Sequence, residues 1–516
     1  MKRPQIVVHH LLASLWIILT AGATGSTRAT EVPATAAPAP GPTASLFAES
    51  REVPAVRVST SDQLIAAMIA ANQRRRPTII RVAAGTYSFT QTFNSDFGAS
   101  ALPPVTGRVL IEGADASTVI LDGSNGPGSR AFTVLAGGQL LLRGLTVQNF
   151  GFLNTCDNCT TIGGGAAENA GGDLRIENSV LTGNFVTSDG SGTFGGAILS
   201  EAGRLELQRT TVSSNLSVSV GGAGVAVTGG VAVLFRSILT GNSAVKGGGG
   251  DVGGRGGGGG LYVLNAKVTL LDSSVANNSA GPTDFDEPLG FGAGIWNDIG
   301  SHMWVVNSAI VNNHAGAAGT GGGILNTGNM TIINTTIGGN TVGSRGGGID
   351  NGGTLTLQGT TIANNSEIGF PLCFDPWDAD CFSGGNDLWA DTGSTVNIAT
   401  TTIGDCANAT LTTDGHNAFG PGQVCTLQPA NFLAHSSTHD QVNIEPMLGP
   451  LTDNGRVGNA HYPPLAGSPL IDAGGEIGRF CTPTDQIGER RVTVGDARDR
   501  EPLCDVGAIE YQPHRR

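Results

Sequence analysis

Residues 321–340 read GGGILNTGNMTIINTTIGGN, and residues 346–365, 25 positions on, read GGGIDNGGTLTLQGTTIANN. Ile324 is answered by Ile349, Ile332 by Leu357 and Ile337 by Ile362. The shared frame is Φ-x-Φ-x-polar-Ser/Thr-x-Φ-x-x-Asn, with Φ aliphatic. Its copies close on Asn184, Asn215, Asn242, Asn278, Asn313, Asn340 and Asn365, and a glycine cluster precedes most of them. A fully extended unit of this period would reach roughly 80 Å, whereas ordinary strands run to about 10 residues. Each unit must therefore hold several short strands joined by bends. Equivalent positions must stack if their aliphatic residues are to share one core. A coil that returns about 4.8 Å further on lies parallel to the one beneath it. Glycine permits the bends. The recurring Asn tolerates left-handed geometry and can stack as an amide ladder, bonded to its copies on both sides. The expected fold is all-β, a parallel β-helix solenoid. Propellers and leucine-rich repeats need aromatic signatures or an L-x-x-L-x-L frame that the chain lacks.

The flanks organise the rest. Lys2 and Arg3, an apolar run to about Leu19 and the small residues Ala21, Gly22 and Ala23 have the layout of a signal peptide over residues 1–23. The run is short of the roughly 20 apolar residues of a membrane span. Residues 24–54 hold a Pro/Ala/Thr-rich linker. Within 55–135, the N-terminal cap and first coils, a helix from Ser61 or Asp62 with an apolar face of Leu64, Ile65, Met68 and Ile69 is expected to lid the stack. Repetitive coils occupy 136–410 and a tail module 411–516. The net charge of −14 argues against nucleic acid and anionic membrane surfaces. No second apolar run is long enough to cross a bilayer. The chain is expected to be exported, extracellular or held at the cell surface, and monomeric. Export makes disulfides the natural state of its eight cysteines. Cys373 with Cys381, Cys406 with Cys425, and Cys481 with Cys504 each flank a short loop, and Cys156 with Cys159 forms a local pair.

Extra residues enter just after the ladder Asn, so one corner is decorated with loops, which in solenoids is usually the binding face. Two loops carry carboxylates, Asp284, Asp286 and Glu287, then Asp375, Asp378 and Asp380. Either could hold Ca²⁺, although a solvated acidic loop is the commoner outcome; no cofactor is required. The residue after the glycine-cluster aliphatic should point outward, which places Tyr262, Trp296 and Trp389 in one column. With Trp377 in a nearby loop, these rings offer flat faces to sugars. The competing reading folds the loops over them as a satellite cluster. Arg and Lys do not align between coils, paired Asp residues on adjacent coils are missing, and the GHN at 415–417 reads as a turn. No catalytic residue is assigned.

The stretch LIAAMIAAN…TIIRVAAGTY…VLIEGAD…VILDG resembles the start of pectate-lyase-like right-handed β-helix proteins. The repeats resemble those of polymorphic outer membrane proteins without their FxxN signature. The tail, PMLGPLTDNGR…LAGSPLIDAG…CTPTDQIGERR…CDVGAIEY, is similar to the C-terminal module of bacterial choice-of-anchor Q proteins. These resemblances imply a right-handed β-helix with an N-terminal helical cap and an irregular C-terminal capping tail. Arg490 or Arg491 would pair with Asp505 to hold that tail. The loop-decorated face points to binding, without catalysis, of an extracellular polysaccharide or cell-surface component; the pectate-lyase-like resemblance supplies the alternative, a polysaccharide lyase or glycoside hydrolase.

Overall fold

The computed structural model describes residues 55–94, 98–154, 162–188, 193–218, 221–245, 256–281, 290–316, 319–368, 385–422, 425–430, 439–491 and 503–512. The signal-peptide and linker segments, Cys156, Cys159, Cys373, Cys381, Trp377 and both acidic loop clusters lie outside them. Each coil contributes two consecutive strands to one broad sheet, as Ile324–Asn326 and Asn329–Ile333 do, then one strand to a second sheet (Thr336–Gly338) and one to a third (Thr341–Val342). The sheets hold 22, 12 and 8 strands, and every pairing between coils is parallel. The chain is a right-handed parallel β-helix, the hand that parallel crossovers adopt. The repeat's Φ positions, among them Met330, Ile332, Ile337, Leu355, Leu357 and Ile362, fill one continuous core down its axis.

The amide ladder forms as the repeat predicts. Each Asn Nδ2 donates to the Oδ1 of the next, from Asn184 to Asn215 (3.0 Å) through Asn340 to Asn365 (2.9 Å), with the four intervening steps at 2.8–3.0 Å. The same oxygen also takes the backbone N–H of the preceding Asn, as Asn365 Oδ1 does from Asn340 at 3.0 Å. All seven are buried. The left-handed turn, however, belongs to the residue before: Ser214, Asn277, Asn312 and Asn364 have φ of 55–58°, and glycine stands there in other coils. A side chain cannot both stack inward and sit at the reversal, so two adjacent residues divide the tasks. The triplet 321–323 shows why glycine fills the corner. Gly321 has φ of 66°, and a Cβ on Gly323 would lie 2.6 Å from the Gly348 carbonyl and 2.9 Å from Asn340 Nδ2.

After Asn365 the ladder changes residue. Sequence alignment puts Cys406 next, yet Cys406 pairs with Leu388 in the broad sheet, because this coil turns without an inserted loop. The Asp387 carboxylate takes the vacant place, accepting from Asn365 Nδ2 at 2.7 Å and from the Asp405 N–H at 2.9 Å. A second ladder of hydroxyls runs at another corner, with Ser237, Ser273 and Ser308 linked at 3.1 Å per step, and it ends on Asn417, which accepts from the Thr401 N–H at 3.0 Å.

The helix spans Ser61–Asn72, capped by Thr60, and buries Leu64, Ala67, Met68 and Ala71 against the first coils. Its buried face is rotated from the expected one, leaving Ile69 exposed. At the other end strands continue to Thr426–Pro429, and the tail then packs Ile444, Leu448, Leu470 and Val506 around Ala418. From there it runs back along the outer face of the 12-stranded sheet, where Ala460 and Leu451 cover Ala309 and Val311. Disulfides Cys406–Cys425 and Cys481–Cys504 are present, with Cα separations of 5.8 and 6.7 Å.

The two motifs behind the tail's resemblance lock to each other. Gln486 donates to the Gly458 and Ala460 carbonyls and accepts from Thr336 Oγ1. Asp485 accepts from the Ile487, Glu489 and Glu510 N–H groups. The expected Arg–Asp505 contact forms through the backbone: Arg491 Nη1 donates to the Asp505 carbonyl at 3.3 Å. Arg490 is exposed, and Arg491 is buried with Nη1 3.4 Å from Glu510 Oε2 and Nη2 donating to Asn334 Oδ1 at 3.2 Å. The Asp505 carboxylate is taken up instead by the Asp472 and Tyr511 N–H groups.

Two predictions follow from this architecture. Asn340→Leu would strip partners from the Asn313 N–H and side-chain amide and from the Ile310 carbonyl. Each unsatisfied buried group costs about 1–3 kcal/mol, so a marked drop in denaturation midpoint is expected, and an unchanged one would dismiss the ladder's energetic role. The second concerns pH. Burial pushes Asp350 and Asp505 up to about 6 and Asp387 and Glu510 up to about 7. A carboxyl raised in the fold binds its proton more tightly folded than unfolded. Its contribution is full below the ordinary value near 4 and is lost as pH rises through 6 to 7. The melting temperature should therefore fall between about pH 5 and pH 8, with Glu510→Gln making the slope shallower. A flat or rising profile contradicts this.

Candidate binding face

The column expected to display rings does point away from the central core. In register it runs Glu168, Leu199, Ala226, Tyr262, Trp296, Leu325, Asp350, Trp389. Its rings are nonetheless covered: Tyr262 is 3% exposed, Trp296 8% and Trp389 5%. The loops that leave after the ladder Asn return over this column as a strip of short parallel contacts, Thr193–Phe194, Gly256–Gly257 and Gly290–Phe291 among them. Phe194 stacks on Tyr262 at 5.5 Å between centroids, and Trp296 meets Tyr262 edge-on at 5.1 Å. The indole lies so close to Gly257 that a Cβ there would be 2.2 Å from the ring. Apolar rings at a loop corner gain more from being covered than from being displayed, and the satellite cluster is what forms.

Buried Arg–carboxylate pairs flank this satellite, Arg130 with Glu168 at one end and Arg345 with Asp350 (3.2 Å) at the other. Arg345 also reaches Asp391 at 3.3 Å and lies over the Trp389 ring at 5.3 Å. Arg345 is thus a guanidinium between two carboxylates. Asp350, though, is only 1% exposed. The GHN residues serve structure: His416 sits at φ 59° and Asn417 ends the hydroxyl ladder. Among the described residues no group of three His, Cys, Asp or Glu is placed to hold a metal ion. No helix there is long and apolar enough to cross a membrane.

The broad sheet's outer face changes character along the axis. Over the N-terminal coils it is charged, with ion pairs handed from coil to coil: Arg81–Glu112, Glu112–Arg143, Arg143–Glu177, Glu177–Arg175, Arg175–Glu206 and Glu206–Arg204, at 2.5–3.5 Å. In the columns of Arg204 and of Arg175 and Glu206, past Lys267, His302 and Trp304 stack at 4.0 Å and 15°. Burial, with Lys267 adding, holds His302 below its ordinary value, so it is neutral near pH 7.

Beyond this pair come five rows of two: Asn329 and Thr331, Thr354 and Thr356, Thr395 and Asn397, Thr410 and Thr412, Thr426 and Gln428. Their inward neighbours Met330, Leu355, Val396 and Leu411 belong to the core, so alternation turns these ten outward, exposed or half-buried. None is charged, and none of their side chains is engaged in a hydrogen bond or ion pair among the described residues. Asp391, Ser394, Asn408, Thr410 and Thr426 line a cleft of about 330 Å³ beside the last rows. The sequence carried this signal in TLT, TVN, TLT and TLQ: the x positions flanking each inward Φ are the outer face.

No family model and no curated protein matches the chain, so the tail's likeness to the choice-of-anchor Q module has no family match behind it. Among solved structures the chain is similar to a crystal structure of the pectate lyase Pel9A, at 14% identity and a TM-score of 0.42, over 89% of this chain and 97% of that one. No residue role is taken from that likeness; the β-helix is read from the strand register.

If the column is a satellite core, Trp296→Ala should destabilise the protein by about 3–5 kcal/mol, the usual cost of emptying a buried aromatic site. An unchanged melt would return the indole to the list of displayed rings.

Proposed function

We propose that this chain is an exported β-helix protein that binds an extracellular polysaccharide or cell-surface glycan, without catalysis, along the outer face of its broad sheet. The observation that carries the reading is the ten-residue array of uncharged hydroxyl and amide side chains, left unengaged by the fold. Elsewhere in the coils the Ser and Thr of the hydroxyl ladder are committed to structure, as Ser273 is to the Leu271 carbonyl and the Ser237 N–H. Free hydroxyls in rows match the chemistry of a ligand made of hydroxyls. The stacked His302–Trp304 pair supplies a flat apolar surface in the same columns. Both disulfides suit an oxidising compartment outside the cell.

The test is a panel of polysaccharides assayed for retention and for release of reducing or unsaturated sugars. Thr354→Arg with Thr356→Arg should weaken retention by at least about tenfold while leaving the melt unchanged. No sugar should be released. Cleavage abolished by Asp391→Asn would favour the lyase or hydrolase reading and contradict this one.

A further inference from the structure

Resting on the reading above, we propose that the ligand is a neutral polysaccharide met as an ordered solid face, packed parallel chains, and not a uronate polymer or a single soluble chain. The first ground is charge. In the two columns that carry the array, the N-terminal coils place Arg108, Asp173, Arg204, Arg175, Glu206 and Lys267. From row 329/331 onward ten successive positions hold no ionisable group. The switch occurs within one sheet, at the same outward positions, so strand propensity does not explain it. A chain of net charge −14 with no cation among these ten positions offers the array little to hold a polyanion.

The second ground is geometry. Neighbouring rows in a parallel sheet are about 4.8 Å apart, and residues i and i+2 about 6.6 Å, so the ten side chains form a two-dimensional lattice. Ladders of identical side chains hold such a sheet flat. Asn326 and Asn351, linked at 2.6 Å, and Asn340 and Asn365 do so on two sides of the coils that carry the first two rows. The cleft of about 330 Å³ lies beside the last rows. A flat lattice of weak polar groups holds a flexible chain poorly, because that chain must be ordered to meet it. A solid whose chains are already parallel engages many rows at once, and its contacts combine as linked sites do.

The third ground is the border. His302 and Trp304 occupy the row before Asn329 and Thr331, with their rings stacked nearly parallel. An aromatic pair continuing a hydroxyl lattice suits stacking of sugar rings at the edge of a solid face.

The full chain is to be mixed with microcrystalline cellulose and with chitin particles, and depletion from the supernatant measured. Soluble cellohexaose, chitohexaose and polygalacturonate serve as competitors. The expected result is depletion by a neutral solid, no displacement by the hexasaccharides or polygalacturonate, and at least about tenfold loss in Thr356→Arg with Thr412→Arg. The Ser versions at the same two positions should retain binding; should the Arg variant melt early, Thr354→Arg with Thr395→Arg replaces it. Binding of the soluble hexasaccharides through the same residues would overturn the solid face and leave polysaccharide binding standing. Retention by polygalacturonate alone would overturn neutrality. Enrichment in a growing ice front without retention by any polysaccharide would assign the lattice to water and overturn the proposal. Failure to bind any glycan would sink both readings.

Discussion

The buried amide ladder and the glycine corner beside it are one device, and the rest of the molecule depends on it. Each Asn satisfies a backbone N–H, a backbone carbonyl and its own copy in the next coil, at a depth where an unpaired polar group is costly. The amide reaches that place only because Gly323 and its counterparts carry no Cβ. With coils locked in register at this corner, aliphatic positions stack into one core and outward positions stack into columns. A column is therefore the unit in which such a chain acquires a surface property.

Three columns were put to different uses. The one beside the loop corner gathered aromatic residues, was covered by the returning loops and became a satellite core. The outer positions of the second sheet became the bed for the tail, through Thr336, Ala309 and Val311. The broad sheet's outer positions stayed open, charged in one half and hydroxylic in the other. The tail's buried Arg491, Asp485 and Glu510 look like chemistry in the sequence. Their partners are Asn334, backbone N–H and carbonyl groups and each other, which is the work of a strap.

The fold was legible because the repeat states a distance constraint that few architectures satisfy. The ladder Asn residues, the helix start and the Cys406–Cys425 and Cys481–Cys504 pairs could be placed from spacing alone. What spacing could not show was which outward residues would be covered. Trp296 and Thr356 are both outward by alternation, and only the strip carrying Gly257 and Phe291, which among the described residues has no counterpart over the broad sheet's array, covers one of them. Asp387 was missed for a related reason: it enters the ladder from the glycine corner, a different position in the coil, when the shortened coil carries Cys406 into the broad sheet. The ten-residue array was visible in principle. The repeat frame is defined by its Φ and Asn positions, and the outward residues between them vary from coil to coil.

Hydroxyl-radical footprinting of the protein adsorbed on a neutral polysaccharide tests the central claim most directly. Oxidation at His302 and Trp304, and in peptides spanning 329–333, 354–358 and 410–415, should fall on adsorption. The exposed side chains Phe93 and Val442, which lie off this face, should react as before. Protection confined to the tail or the loop corner, with the array as reactive as in solution, would contradict the account.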